Sequence, residues 1–293
     1  MAIQDELQTL LVDCCQHRTQ DLYFRPIATG WQLAERRATG LVQREPVNQA
    51  VGEKLINRLK YLAGMDISEN RRPQTGRSEI TIDQEVVYLR LATIGDFLNR
   101  ESLVIRFIYP LLTAYRCAQV SQLAQLEAVV QQSGLVLFAG PTGSGKTTSL
   151  YYLASQVMQE RMVVTIEDPI EIKQPEFLQL QVNQEAGLSY AALLKISLRL
   201  RPDTLIIGEI RDLATAQHAV TAALSGHLVL STIHARNAQG VVQRLINLGI
   251  EPAQLTTCLT CVAYQSLVLN SQAQLAAHYD ILMAADLEVD DDL

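Results

Sequence analysis

Apolar positions at Ile3, Leu7, Leu10, Leu11, Cys14 and Cys15 recur at helical spacing and predict an amphipathic helix over residues 3–15. The rhythm then shortens. Between residues 21 and 46, Tyr23, Trp31 and Leu33 sit among turn formers at Pro26, Gly30 and Gly40, the pattern of short strands. A helical stripe returns from Val47 to about Gly64 through Val51, Leu55, Leu59 and Leu62. A polar segment, Ser68–Arg77, separates it from two further predicted strands, Glu79–Tyr88 and Leu103–Phe107, with a loop at Gly95–Asn99 between them. Helices and strands mixed in this order predict a compact α+β domain over residues 1–112.

The second half changes period. Short apolar runs at Gly134–Ala139, Met162–Ile166, Thr204–Gly208 and His227–Thr232 alternate with helical stretches at 145–160, 189–201, 212–225 and 238–249. Continuous apolar strands alternating with helices predict a parallel sheet covered on both faces. The fold class is therefore α/β, with a larger domain over 118–285 and a junction at Tyr109–Val120, near Pro110. The end of the chain, 286–293, is acidic and reads as a solvated, disordered tail.

Composition narrows the classes. Of 293 residues, 48% are apolar and 19% charged, which excludes disorder, collagen-like repeats and a disulfide scaffold. The formal charge is −7, but five acids fall in the last eight residues, so the body is nearly neutral and carries no basic field for nucleic acid. Five cysteines and an acidic start at Asp5 and Glu6 predict a reducing cytoplasm and no secretory signal. The spans 213–235 and 252–279 lack charged residues, yet Gln217, His218, His227, Gln254, Asn270 and Gln272 interrupt them. No transmembrane helix is expected, so membrane contact would come through a partner.

The strongest chemical signal is Gly140-Pro141-Thr142-Gly143-Ser144-Gly145-Lys146-Thr147-Thr148, a full match to G-x-x-x-x-G-K-[ST] between a predicted strand and a predicted helix. Glycines let successive backbone N–H groups converge on phosphate oxygens, and the helix N-terminus adds partial positive charge. Lys146 would reach the β- and γ-phosphates of ATP, and the Thr147 hydroxyl would ligate Mg²⁺.

Three strand ends bear on hydrolysis. Leu205–Glu209 is an apolar strand ending in a carboxylate, suited to orienting or deprotonating the attacking water; Gly208 stands where a magnesium-binding Asp is usual, leaving metal binding to Thr147, with Glu209 nearby. Met162–Glu171 ends in Glu167, Asp168 and Glu171, and Gly226–His234 has histidine at both ends. Ligands in open α/β sheets gather at the carboxyl ends of strands, where Glu167, Glu209 and His234 would meet the phosphate loop. His227 would lie at the opposite end and contribute through packing.

Together these motifs resemble the secretion-type AAA-like ATPases, which drive type II secretion, type IV pili and competence pseudopili. The resemblance rests on Gly140–Thr148 as Walker A, Thr165–Glu171 as an "Asp box", Leu198–Asp212 as Walker B and Gly226–His234 as a "His box", which brings in His227. In the first domain it rests on Leu59–Arg77 and, more faintly, Asp21–Pro26. It implies a RecA-like P-loop domain behind a smaller PAS-like domain, and ATP with Mg²⁺ as cofactors. It also implies a homo-hexamer working on a polytopic membrane platform protein at the inner face of the cell membrane. Arg90 and Arg106 match the family's first-domain arginines, which reach the nucleotide's phosphates.

Two features point toward the competence branch. Family members of the secretion and pilus-assembly branches usually carry a further N-terminal domain and four zinc cysteines, whereas here only Cys258 and Cys261 appear, upstream of Gln265-Ser266-Leu267. Two ligands do not make a tetrahedral site, so no zinc is expected and the pair, at helical spacing, reads as core. The retraction motors' Ala-Ile-Arg-Ala-Ser box is not found either. Two other readings share the core: a hexameric nucleic-acid translocase, whose best basic candidates would be Arg36-Arg37 and Arg71-Arg72, and a nucleotide-binding scaffold without turnover.

Overall fold

The computed structural model of the chain describes residues 3–286, apart from 38, 83, 111–114, 185, 271 and 273. The chain divides into two compact units, Met1–Pro110 and Leu111–Leu293, each built on its own sheet. The tail expected over 286–293 lies, Asp286 apart, outside the described residues.

In the first unit, α1 (Ile3–Gln16) precedes strands β1 (Asp21–Ile27), β2 (Gly30–Arg37), β3 (Gly40–Gln43) and β4 (Val47–Asn48). Helix α2 (Gln49–Leu62) and strands β5 (Gln74–Ile82), β6 (Glu85–Gly95) and β7 (Glu101–Ile108) follow. The sheet runs β3-β2-β1-β7-β6-β5, with β4 added to β2, and its paired strands are antiparallel. One face is apolar. Leu22, Phe24, Leu89, Leu91, Leu103 and Ile105 alternate inward and pack with Leu7 and Leu11 of α1 and Leu55, Ile56 and Leu59 of α2. Asn48 caps α2 by accepting from Val51 N at 3.0 Å. Lys60, with no exposed surface, donates to Glu101 Oε1 and Glu69 O, each at 2.7 Å, so its buried charge is paired.

The predicted strand Glu79–Tyr88 is corrected: a turn at Gln84 (φ 69) splits it into a hairpin, β5–β6, which spans 74–95. The polar segment that the sequence placed before it is strand from Gln74 onward. In β5 the outward positions Thr75, Arg77, Glu79 and Thr81 are polar, but in β6 Val86, Ala92 and Ile94 face outward and Thr93 inward, which blurs the period of two.

The second unit has α3 (Val120–Val129), β8 (Gly134–Ala139), α4 (Lys146–Ser155), β9 (Val163–Glu167), β10 (Leu178–Gln181) and α5 (Tyr190–Ser197). These are followed by β11 (Thr204–Ile207), α6 (Leu213–Leu224), β12 (Leu228–Ile233), α7 (Ala238–Leu248), α8 (Pro252–Cys258), β13 (Leu259–Leu269) and β14 (Leu275–Met283). Strand order is β10-β9-β11-β12-β8-β13-β14, parallel throughout except for β14. Strand β8 is buried on both faces. Leu135 and Leu137 enter one core with α5, α6, α7 and α8, while Val136 and Phe138 enter the other with α3 and α4. The sheet is thus covered on both sides, the doubly wound arrangement of a RecA-like domain.

Strands β13 and β14 were not predicted, and the reading of Cys258 and Cys261 at helical spacing is corrected. Cys258 closes α8 and Cys261 lies in β13. Both are buried thiols, and burial raises the pKa of each. No helix among the described residues is long and apolar enough to cross a membrane.

Candidate active site at the carboxyl end of the parallel sheet

The phosphate loop, residues 140–145, leaves the carboxyl end of β8 and opens α4. Its backbone requires glycine at two points. Gly140 has φ +141, and a Cβ there would stand 2.3 Å from the carbonyl oxygen of Gln265; Gly145, with φ +86, is the N-cap of α4. Lys146 Nζ donates to Gly140 O and Pro141 O, both at 2.9 Å, which holds the ammonium over the loop. Burial lowers the Lys146 pKa, while the carboxylates of Glu209 and Glu171 oppose that fall. Ser144 is 3% exposed and its Oγ has no hydrogen-bond partner, and the N-cap of α4 has no side-chain cap. An unpartnered buried hydroxyl and an uncapped helix N-terminus beside an ammonium fit a phosphate chain.

Carboxylates ring this loop. Thr147 Oγ1 donates to Glu171 Oε2 at 2.7 Å, so the residue facing Thr147 is Glu171 rather than Glu209. Glu209, just past β11, lies between two partners: Arg211 Nε donates to its Oε2 at 2.7 Å, and His234 Nε2 stands 3.1 Å from its Oε1. Strands β11 and β12 are adjacent and parallel, which is why residues just beyond each carboxyl end meet. Glu167 ends β9, 3% exposed, and its Oε1 accepts from Tyr151 OH and from Thr165 Oγ1 at 2.9 Å. Burial is the main reason its pKa climbs to about 7, with Glu171's charge adding to the rise and the two hydroxyl donors opposing it.

His227 does not join this cluster. It precedes β12 at the amino end of the sheet, with Nδ1 2.9 Å from Ala222 O, in a shallow polar cleft with Arg161 and Asp203. Arg90 and Arg106 belong to the first unit. They face each other in register on β6 and β7, with Arg77 of β5 opposite Arg90 in the same row. Arg106 Nε donates to Asp21 Oδ1 at 2.9 Å.

The sequence offered Gln265 only as part of Gln265-Ser266-Leu267 and did not single out Ser149, Tyr279 or Tyr151; the first three bond in a row at the loop, and Tyr151 reaches Glu167. Ser149 Oγ donates to Gln265 Oε1 at 2.8 Å, and Gln265 Nε2 donates to Ser144 O at 2.6 Å. The only signal available was a cluster of polar residues in otherwise apolar segments, Gln265 in β13 above all.

The family described as Type II/IV secretion system protein matches residues 1–285. Competence protein ComGA of Streptococcus pneumoniae is 40% identical over 269 residues, which cover 91% of this chain and 85% of that protein. Competence protein ComGA of Bacillus subtilis is 36% identical over 277 residues, covering 91% and 76%. Among solved structures, the Yersinia pseudotuberculosis ATPase DotB shares the fold with a TM-score of 0.74 at 21% identity, over 97% of this chain and 80% of that one. A match that runs through both units leaves one assignment: the chain belongs to the type II/IV secretion system protein family, and it is an ATPase.

Proposed function

We propose that the chain is a Mg²⁺-dependent ATPase that works as a homo-hexamer and powers assembly of a type IV pilus-like competence pseudopilus for DNA uptake. The observation that carries the catalytic part is the meeting of the phosphate loop, Glu209, His234 and Glu167 at one end of the sheet, with His234 3.1 Å from Glu209. Relatives named competence protein ComGA support the competence branch. The ATPase acts from the cytoplasm, peripheral to the inner face of the cell membrane, through a polytopic platform protein.

In this mechanism the N–H groups of Gly143, Gly145 and Lys146 and the hydroxyl of Ser144 receive the phosphates. Pro141, Thr142 and Thr148 shape the loop and the first turn of α4. Lys146 exchanges its two carbonyl acceptors for the β- and γ-phosphate oxygens, gaining charge-assisted bonds. Mg²⁺, when bound, neutralises charge on those phosphates, and Thr147, with Glu171 and Glu209 nearby, is the residue to hold it. Glu209 takes a proton from the attacking water. His234, beside the Glu209 carboxylate, orients it, and Glu167 supports the γ-phosphate site from the adjacent strand. Arg90 and Arg106 bring positive charge to the transferring phosphoryl group, a contribution worth about 10³–10⁵ in rate where an arginine is so used. His227, at the far end of the sheet, acts through packing.

Phosphate release by the Glu209→Gln variant tests the reading. Turnover should drop by at least ~10²-fold with ATP binding retained, whereas Lys146→Ala should weaken binding itself. Wild-type hydrolysis by Glu209→Gln would remove Glu209 from its role. Sedimentation with a non-hydrolysable ATP analogue tests the hexamer, and a chain that stays monomeric at every concentration refutes it.

A further inference from the structure

The phosphate loop rests on a buried chain of hydrogen bonds that runs away from the nucleotide side. Gln265, 1% exposed on β13, uses both ends of its amide, donating to Ser144 O and accepting from Ser149 Oγ. Ser149, wholly buried in α4, accepts from Tyr279 OH at 2.9 Å, lies 2.6 Å from Tyr115 OH and stands 3.1 Å from Gly145 O. The two phenols also bond each other. A hydroxyl has one proton to give. Whichever tyrosine donates to the other, one phenol proton ends on Ser149, and the Ser149 proton is left for Gln265 Oε1 at 2.8 Å, with Gly145 O the more distant acceptor at 3.1 Å. Burial pushes the pKa of both Tyr115 and Tyr279 upward, so both remain protonated.

The far end of this chain is the segment that enters the second unit. Tyr115 is the first described residue after 111–114 and stacks on Tyr152 of α4, ring centroids 4.3 Å apart. The next residues are stitched to the outer edge of β14, with Ala277 N donating to Arg116 O and Ala118 N to Ala277 O. Gln122 of α3 brackets Tyr279, donating to its carbonyl at 2.6 Å and accepting from its N–H at 3.2 Å. At the loop end, a trans peptide points N–H and C=O in opposite directions. By fixing Ser144 C=O, Gln265 therefore turns the Gly145 N–H to the side away from itself.

We propose that Tyr115, Tyr279, Ser149 and Gln265 are positioning residues that tie the shape of the phosphate loop to the entering segment Tyr115–Ala118, so that loosening that segment's anchor weakens nucleotide binding. The inference rests on the nucleotide-binding reading of the loop. Members of one buried polar network couple energetically, and a double-mutant cycle apportions them.

Binding of a fluorescent ADP to the full chain tests it with Tyr115→Phe, Gln265→Met and the double variant. Tyr115→Phe keeps the stacking on Tyr152 and removes only the hydroxyl. Each single change should raise Kd about fivefold, the worth of a typical hydrogen bond. The double should raise it by clearly less than the product, because both cut the same chain, while kcat at saturating ATP stays within about twofold of wild type. Should Gln265→Met fail to fold, Gln265→Glu, which keeps the acceptor for Ser149 and loses the donor to Ser144, closes the same cycle. Effects on Kd that multiply, or a Kd unmoved by either change, overturn the proposal and leave the ATPase reading standing. A wild-type chain that binds no nucleotide, or a Lys146→Ala variant that binds as wild type does, overturns both.

Discussion

Replacing Glu167 by glutamine should stabilise the second unit at pH 8 and leave it nearly unchanged at pH 5. Burial has raised the Glu167 carboxyl to about 7 from its ordinary 4.5, with Glu171 contributing and Tyr151 and Thr165 resisting. Between those two values the native chain holds more protons than the unfolded one. Stability therefore declines as pH rises from about 4.5 to about 7, and stays lower above that window. The gap corresponds to about 3 kcal/mol, and at 3% exposure solvent does little to reduce it. Glutamine keeps an oxygen that accepts from Tyr151 and Thr165, its amide replaces the O–H of the protonated acid, and it carries no charge at any pH.

The assay is urea unfolding of wild type and variant across pH 5 to 8. Trp31 is the only tryptophan and lies in the first unit, so its fluorescence reports that unit, and far-ultraviolet circular dichroism adds the second. The variant's advantage should grow by about 2.5 kcal/mol over the range, in the transition that Trp31 does not follow. A difference that stays flat to within about 1 kcal/mol would refute the argument that Glu167 is ionised against the pull of its surroundings.

Three further changes probe the frame around the site. Gly140→Ala should weaken nucleotide binding by about 5- to 150-fold, because φ +141 and a Cβ 2.3 Å from the Gln265 carbonyl force the loop to move; the strain is worth about 1–3 kcal/mol, and calorimetric binding checks it. Lys60→Met should lower the stability read by Trp31 by about 3–5 kcal/mol, since Glu101 loses the partner of a buried pair, and adding Glu101→Leu should restore most of it. Gly52→Ala should destabilise the same transition by about 1–3 kcal/mol although alanine is the better helix former, because its Cβ would stand 2.2 Å from Cε3 of Trp31.

How much of this was legible in the sequence depends on where a residue's constraint comes from. The loop 140–147 was readable because backbone geometry dictates its glycines, and β8, β9, β11 and β12 were readable because a strand buried on both faces is a near-continuous apolar run, broken here only by small hydroxyl residues and the terminal Glu167. Strands β13 and β14 were not. They pair antiparallel at the edge of the sheet, and their Gln, Ser and His residues break the run without setting up a clean alternation. The common location of Glu209 and His234 at the carboxyl end of the sheet was legible, whereas their pairing follows from the adjacency of β11 and β12, which the structure supplies. The contact between Thr147 and Glu171 was not, since it depends on how the chain turns after β9.

Gly208 shows how these constraints lock together. A side chain at this position would stand where P-loop enzymes commonly keep an acid, and in this chain a Cβ would meet Glu167 Cγ at 3.2 Å and Ile166 O at 3.3 Å. The space is already taken by Glu167, which reaches Tyr151 of α4 from the neighbouring strand. Glu167 thus crowds the end of β11, and the carboxylate stands one residue later, at Glu209, where the chain has left the sheet and meets His234. Glu171, further beyond β9, then supplies the oxygen at Thr147. In the proposed mechanism three acids share work that one strand-end Asp would otherwise begin, and their separation is physically favourable. Glu167 is buried with hydroxyl donors, Glu209 is partnered by two nitrogen groups, and Glu171 lies against a hydroxyl, so no two of them depend on the same donor. Like charges placed closer would each raise the other's pKa and empty the site of the anionic base that hydrolysis needs.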